Sequence, residues 1–339
     1  MSLLQHFHRV AGGADLSSAE AYDAMTALLE GGSGESVIAG FLVALRMKGE
    51  TASELAGFAR AMRDRMIPVD APEGVVDTCG TGGDSSGTFN ISTVSALVLA
   101  GAGARVAKHG NRSLSSQTGS ADVFEALGVR IVMTPDEASM AIREIGIGFL
   151  FAPNLHPAMK FAQPVRRELK LRTVFNLLGP LANPARARRQ LIGAPSPQAA
   201  TLIAHALAEL GADRAFVVHG RDGLDEITTT GPTDVSEVSD GSVKQHVWVP
   251  SCFGVAQSQP DSLTGGDAQC NAQIVRQILE GERGPMRDIV LVNSAAGLLA
   301  AGLVADLPQG MRAAAESIDS GAAAAKLALL QETFPRVLS

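Results

Sequence analysis

From about residue 75 onward, short apolar runs alternate with helical patterns, and this alternation limits the possible folds more than any other feature. GVVDTCG, ARVAKHG, VRIVM, IGFLFAP, QLIGAP and RAFVVHG read as strands. STVSALVLAGAG, SADVFEALG, PDEASMAIREIG and the segment near 198–210 read as helices between them. Strands separated by helices run parallel, and the helices cover both faces of their sheet. DVSEVSDGSVKQHVWVP reads as a hairpin turning at Asp240-Gly241, and the chain then returns to helices.

Before residue 73 the pattern is helical throughout. SSAEAYDAMTALLEGG and TASELAGFARAMRDRM each open with a capping box, Ser17 with Glu20 and Thr51 with Glu54. Pro68 and Pro72 mark a linker. The expected fold class is therefore α/β. A small N-terminal helical domain over 1–68 precedes a large α/β domain over 73–339, with a mostly parallel central sheet covered by helices.

Composition excludes several function classes. The chain has 339 residues and is 46% hydrophobic, enough to bury a sizeable core. Its net charge of −7 has the wrong sign for a general nucleic-acid or anionic-membrane binder. Aromatics at 4% leave little to stack on bases. Cys79, Cys252 and Cys270 have neither metal-ligand nor disulfide spacing, which points to a reducing cytoplasm. The N-terminus lacks signal-peptide character. The uncharged run over 289–305 is 17 residues long, contains Asn293 and Ser294, and reads as a buried helix rather than a membrane span.

In open parallel sheets, ligands sit beyond the carboxyl ends of the strands. Three loops fall there. GTGGDSSGTFNIST opens a helix, where backbone N–H groups favour an anion. It fails GxGxxG because Ser85 replaces the third glycine, and it fails the P-loop pattern because Thr88 replaces the lysine. Asp84 and the hydroxyls of Thr88, Ser92 and Thr93 are suited to a sugar phosphate and a metal. KHGNRSLSSQTGS is the second loop. No acid occurs from Ser85 to Ala121, while Arg105, Lys108 and Arg112 do, so a local positive basin is expected. HGRDGLDEITTTGPT, the third, carries adjacent Asp225 and Glu226. Such a pair shares one ion only from a loop, and hard oxygen ligands suit Mg²⁺. Taken alone, an Asp-Glu pair is usually a surface feature. A fourth segment, from Lys160 to Arg189, has eight cations and one acid. Within it Arg166 follows Pro164-Val165 at a helix start, and an Arg fork binds a carboxylate.

Together GTGGD, NIST, KHGNRS, GSADVFEALG, HPAMK, RTVFNLLGPLANP and GLDEITTTGPT resemble the anthranilate phosphoribosyltransferase family, in order and spacing, between Asp77 and Thr233. The resemblance implies a fold like that of the nucleoside phosphorylases and related phosphoribosyltransferases. It implies that part of 163–184 joins the small domain, and that two chains form a homodimer through the helical domain. It implies transfer of a phosphoribosyl group from 5-phosphoribosyl 1-diphosphate to anthranilate with Mg²⁺, in tryptophan biosynthesis, with neither nucleic acid nor membrane as partner. By the same resemblance the donor is held by Gly80, Gly83, Asp84, Thr88, Asn90, Ile91, Ser92, Thr93, Lys108, His109, Gly110, Asn111, Arg112, Ser113, Leu114, Ser115, Ser116 and Ser120. Asn111, Arg166 and His156 face anthranilate with Gly80, and Ser92, Asp225 and Glu226 hold metal. No general base is assigned. A pyrimidine-nucleoside phosphorylase would share the fold and a glycine loop; NIST and GLDE argue against it. An inert nucleic-acid-binding relative would be basic, with those motifs degraded.

Overall fold

The computed structural model describes residues 2–82, 87–113 and 117–336. Four helices come first: α1 (Leu3–Ala11), α2 (Ser18–Leu29), α3 (Glu35–Lys48) and α4 (Ala52–Arg65). Both anticipated capping boxes form. The fully buried Glu54 does more than cap. It also accepts from Leu16 N at 2.9 Å and from Lys48 Nζ at 3.0 Å, which ties two inter-helix turns to α4.

The remaining elements are β1 (Val76–Gly80), α5 (Ile91–Gly101), β2 (Val106–Gly110), α6 (Ser120–Ala126), α7 (Pro135–Met140), β3 (Ile147–Phe151) and α8 (Ala152–Leu155). Then follow α9 (Gln163–Leu169), α10 (Phe175–Leu178), β4 (Arg189–Gly193), α11 (Pro197–Glu209), β5 (Arg214–Gly220), β6 (Thr233–Ser239) and β7 (Ser242–Trp248). The last four helices are α12 (Ala268–Leu279), α13 (Pro285–Ala300), α14 (Leu307–Asp319) and α15 (Ala322–Thr333).

Among the described residues, seven strands form one sheet in the order β3-β2-β1-β4-β5-β6-β7. The first five strands run parallel, and β6 and β7 complete the sheet as an antiparallel hairpin. Its turn residues Asp240 and Gly241 have φ of 49° and 70°, the double positive φ of a type I′ turn. From β1 the chain steps outward to β2 and β3, then crosses back past β1 to β4 and β5. The order reverses between β1 and β4, which opens a crevice at their carboxyl ends.

Two large apolar clusters sandwich the sheet, and a smaller third packs α13 against β4, β5 and β6. One packs α5, α13, α14 and α15 against one face. In the other, bundle residues such as Leu42 and Phe58 form one continuous core with Ile192 of β4, Ile203 of α11 and Val217 of β5. Val165, Val174, Leu178 and Leu181 join that same core, so the 163–184 region packs on the bundle. Every residue from Ile289 to Ala300 is buried, and no helix among the described residues is long and apolar enough to cross a membrane.

The VRIVM segment departs from expectation. Val129 makes only an isolated bridge with Pro335, and Arg130 N donates to Phe334 O at 2.8 Å. Val129, Ile131 and Met133 are buried, so their alternation reports contact with the core rather than membership of the sheet.

Bundle packing makes a prediction with an unusual sign. A Cβ on Gly57 of α4 would overlap Ser18 O of α2 and come 2.7 Å from Ala21 Cβ. Alanine improves helix propensity by up to ~1 kcal/mol, but overpacking costs about 1–3 kcal/mol. Gly57→Ala should therefore lower the melting temperature by a few degrees. A rise in the melting temperature would show that α2 and α4 separate freely.

Candidate active site

The four parallel strands around the crevice end in glycine, at Gly80, Gly110, Gly193 and Gly220. Two of these glycines are required by close approach. A Cβ on Gly193 would overlap the Asp225 carbonyl, and one on Gly80 would lie 2.5 Å from Asp225 Oδ2. The loop after β5 thus lies directly on the ends of β4 and β1. There the Asp225 carboxylate accepts from Gly82 N at 2.8 Å. Asp225 and Glu226 are both buried and both lie in a loop, as sharing one ion requires.

This loop is held from two sides. Asp222 accepts from the hydroxyls of Thr228, at 2.6 Å, and Thr230. Asn293 of α13 binds both backbone groups of Ile227, accepting at 3.0 Å and donating at 2.9 Å. The polar residue that interrupts the apolar run over 289–305 is therefore a clamp on the acidic loop.

Gly83 and Asp84 lie outside the described residues. Beyond them Thr88 bridges to Thr264, and Asn90 to Thr93 lead into α5. The side chains of Ile91 and Thr93 are buried in the core. Ser92 Oγ lies 3.5 Å from Lys108 Nζ, so the first and second loops meet at this pair.

At the end of β2, Lys108 is only 1% exposed and donates to Thr78 O at 2.7 Å. Burial lowers its affinity for a proton, while the nearby carboxylates of Asp77 and Glu226 act to retain it. Asp77 is the less expected partner. Fully buried in β1, it accepts from His109 N at 3.2 Å and from Asn183 Nδ2 at 2.7 Å; Asn183 also donates to Ala107 O at 2.9 Å. Burial pushes the Asp77 carboxyl up to about 6, against the pull of Lys108. Asp77 and Asn183 thereby fix the backbone from which Lys108, His109 and Gly110 project.

His109 and His156 face each other with ring centroids 5.1 Å apart. His109 Nδ1 is 3.2 Å from Gly179 O, and the Nε2 atoms of both rings are buried without a partner among the described residues. Burial lowers His109 to about 3, helped by the neighbouring His156, and it lowers His156 to about 4. Both rings are neutral near pH 7.

The expected positive basin is not built as the sequence implied. Arg112 pairs with Asp122 at 2.7 Å and with Glu125 at 2.6 and 2.8 Å. Arg105 donates to Ile142 O at 3.1 Å. The acids that follow the acid-free stretch fold back on one of its cations, which leaves Lys108 as the cation at the strand end. Asn111 Oδ1 accepts from Arg112 N at 2.7 Å, Ser113 N donates to Asp122 at 3.4 Å, and Ser120 Oγ reaches Asn111 O at 3.5 Å. Leu114, Ser115 and Ser116 lie outside the described residues.

Arg166 is half-buried on α9, with its guanidinium carbon 5.2 Å from the centre of the Phe175 ring. Arg172, which sequence reading did not single out, donates to Gly82 O at 2.7 Å. Its signals were membership of the cationic stretch and the first position of the motif RTVFNLLGPLANP. Asp77 lay in the strand run GVVDTCG and Asn183 inside the motif RTVFNLLGPLANP, without any sign that they would bond each other.

The two buried histidines make stability depend on pH. An unfolded chain protonates each near pH 6.5, whereas the folded protein keeps both neutral down to about 4 and about 3. Below pH 6.5 the unfolded state therefore binds more protons. Stability is full above that pH and falls as pH drops, by up to ~1.4 kcal/mol per pH unit for each ring. Asp77, raised from 3.8 to about 6, acts in the opposite direction across that interval, so the difference between variant and wild type is the readout. His156→Gln should flatten the loss of stability between pH 6.5 and 4, measured by urea unfolding at a series of pH values. An unchanged slope would mean that the ring titrates in the folded state as it does in water.

Comparison with known proteins adds to this geometry. The helical bundle domain of the glycosyl transferase family matches residues 5–66, and the a/b domain of the same family matches residues 72–324. An anthranilate phosphoribosyltransferase from Solibacter usitatus is 57% identical over 335 residues, 98% of each chain. The crystal structure of anthranilate phosphoribosyltransferase from Thermus thermophilus is 42% identical and superimposes with a TM-score of 0.92, covering 98% of this chain and 99% of that one. The enzyme from Saccharomyces cerevisiae in complex with PRPP and Mg is 28% identical, with a TM-score of 0.87 over 98% of this chain and 97% of that one. Matched from end to end in both sequence and fold, this chain belongs to the anthranilate phosphoribosyltransferases of the glycosyl transferase family.

Proposed function

We propose that this chain transfers the 5-phosphoribosyl group of 5-phosphoribosyl 1-diphosphate to the amino group of anthranilate, giving N-(5-phosphoribosyl)anthranilate and diphosphate, in tryptophan biosynthesis. The observation that carries this reading is the meeting of the acidic loop and the glycine loop at the switch point, through Asp225 and Gly82. An anion seated on the glycine loop there lies beside two carboxylates, an arrangement that requires an intervening cation.

The residues present fit Mg²⁺. Asp225, Glu226 and the Ser92 hydroxyl offer only hard oxygen donors, and two carboxylates leave coordination positions for water and phosphate. No cluster of three or more His, Cys, Asp or Glu side chains that could enclose a metal occurs among the described residues, in keeping with a site completed by its substrate. When bound, Mg²⁺ supplies neutralisation of the charge that develops on the leaving diphosphate.

The donor occupies Gly80, Gly83, Asp84, Thr88, the 90–93 turn, residues 108–116 and Ser120 in this reading. Lys108 is shielded from water, so its ammonium acts on a developing oxyanion at low dielectric. The C1–diphosphate bond breaks towards an oxocarbenium-like sugar and its electron pair leaves on the diphosphate oxygen, while the amino lone pair forms the new C1–N bond and the nitrogen then gives up one proton to solvent. Asn111, His156 and Arg166, with Gly80, face anthranilate. An aryl amine is already unprotonated at neutral pH, so positioning rather than a strong base supplies much of the rate. The reading includes a homodimer: Leu4 and Met47, on the packed pair α1 and α3, are 45% and 83% exposed. Three cysteines without a disulfide accord with a cytoplasmic setting.

The reaction is tested by mixing the protein with anthranilate, the diphosphate donor and Mg²⁺ and following anthranilate fluorescence. Loss of fluorescence that requires all three is the expected result, and a constant signal would reject the reading. The metal site makes a separate prediction. Asp225→Asn with Glu226→Gln preserves shape but removes two charges, and should move the Mg²⁺ activation curve to concentrations about tenfold higher or more. Curves that superimpose would assign the metal to other residues.

A further inference from the structure

One buried polar residue near the donor loops has no part in the reading above. Asn271 lies in the first turn of α12 and is 2% exposed. Its Oδ1 accepts from Gly266 N at 2.7 Å, and its Nδ2 donates to Asn90 Oδ1 at 2.9 Å. Asn90 Nδ2 then donates to Thr118 O at 3.1 Å, and Thr118 Oγ1 donates to Gly266 O at 3.0 Å. The four residues close a ring that joins the start of α5, the segment before α6 and the segment before α12. Backbone contacts hold the ring in place. Gly265 N donates to Gly87 O at 2.9 Å, Thr88 bridges to Thr264, and a Cβ on Gly265 would come 2.6 Å from the Phe89 backbone.

The chain of amides has a fixed polarity. A backbone N–H only donates and a backbone carbonyl only accepts. Gly266 N therefore sets Asn271 with its oxygen inward, so its NH₂ points at Asn90. Asn90 must meet that NH₂ with its oxygen. At the other end, Thr118 O requires the NH₂ of Asn90. Both ends dictate the same orientation, and a flip of Asn90 would break two hydrogen bonds. Thr118 takes one of the two Nδ2 protons of Asn90, and the second has no acceptor among the described residues. An anionic ligand would be met by a donor, whereas a flipped amide would offer it an oxygen.

We propose that Asn271 is a positioning residue for phosphoribosyl transfer: it locks the Asn90 amide so that its NH₂ is the group offered to the sugar-phosphate donor. This rests on the reading of Asn90 as a donor contact. Asn271→Asp keeps size and the acceptor for Gly266 N but replaces the group facing Asn90 Oδ1 with an acceptor. Steady-state kinetics at pH 8, where the new carboxylate is ionised, should show the KM for 5-phosphoribosyl 1-diphosphate raised about tenfold, as expected for one lost hydrogen bond to a charged group. The KM for anthranilate should stay within about twofold. Asn271→Leu, which removes the lock without adding charge, should raise the donor KM by a smaller factor. In an Asn90→Ala background, Asn271→Asp should change the donor KM by less than about twofold, because its only route of action is gone. A purely structural role would not produce that dependence.

If Asn90→Ala raises the donor KM but Asn271→Asp does not, the inference fails and the reading of Asn90 stands. If Asn90→Ala leaves the donor KM unchanged, both fail. An undiminished effect of Asn271→Asp in the Asn90→Ala background would also overturn the inference. So would failure of both Asn271 variants to fold, which would make Asn271 a residue of the fold.

Discussion

The contact of Asp225 with the last residues of β1 and β4 organises the rest of the site. Two neighbouring strands end in glycine where the strand order reverses, and the space their side chains would fill is taken by the backbone and carboxylate of one loop. Because the Asp225 carboxylate also accepts from Gly82 N, the acidic loop and the glycine loop hold each other's position. A side chain at either strand end would lift the acidic loop off the sheet. The feature that looks like loop flexibility in GTGG and QLIG is therefore a requirement for close packing.

Around this contact the structure repeats one device. A buried polar side chain from a distant part of the chain bonds the backbone of a loop or strand end. Asn183 and Asp77 hold the end of β2, and Asn293 holds the acidic loop. A buried polar group left unpaired costs about 1–3 kcal/mol, so each such bond resists loss. The loops are thus anchored from beneath, which leaves their outward-facing groups to the ligand. The charge of the site follows the same logic. In a chain of net charge −7, Lys108 is isolated from water next to Asp77 and within reach of Glu226, while Arg112 is neutralised on the surface by Asp122 and Glu125.

Much of the architecture was legible because it depends on neighbours in the chain. Capping boxes act over three residues, so Ser17 with Glu20 and Thr51 with Glu54 could be read directly. The type I′ turn needs two adjacent positive φ values, and Asp240-Gly241 announces it. VRIVM failed because an apolar alternation signals a buried face, which a loop lying against the core also has. The positive basin failed for a related reason: a span free of acids in sequence is not free of them in space, since Asp122 and Glu125 begin just beyond it and return to Arg112.

The sequence by itself determined the order of helices and strands, the parallel sheet that this order implies, and the chemical types present at the strand ends, because these follow from period, capping and composition. Only the tertiary structure decided which of those groups meet. The partners of Asp77, Asn293 and Asn271 stand tens to more than a hundred residues away along the chain. Their pairing depends on burial and on the crossover from β3 to β4, neither of which leaves a mark on local sequence. The same burial makes His109 and His156 neutral and raises the proton affinity of Asp77, since the cost of a charge is set by the medium that surrounds it once the chain has folded.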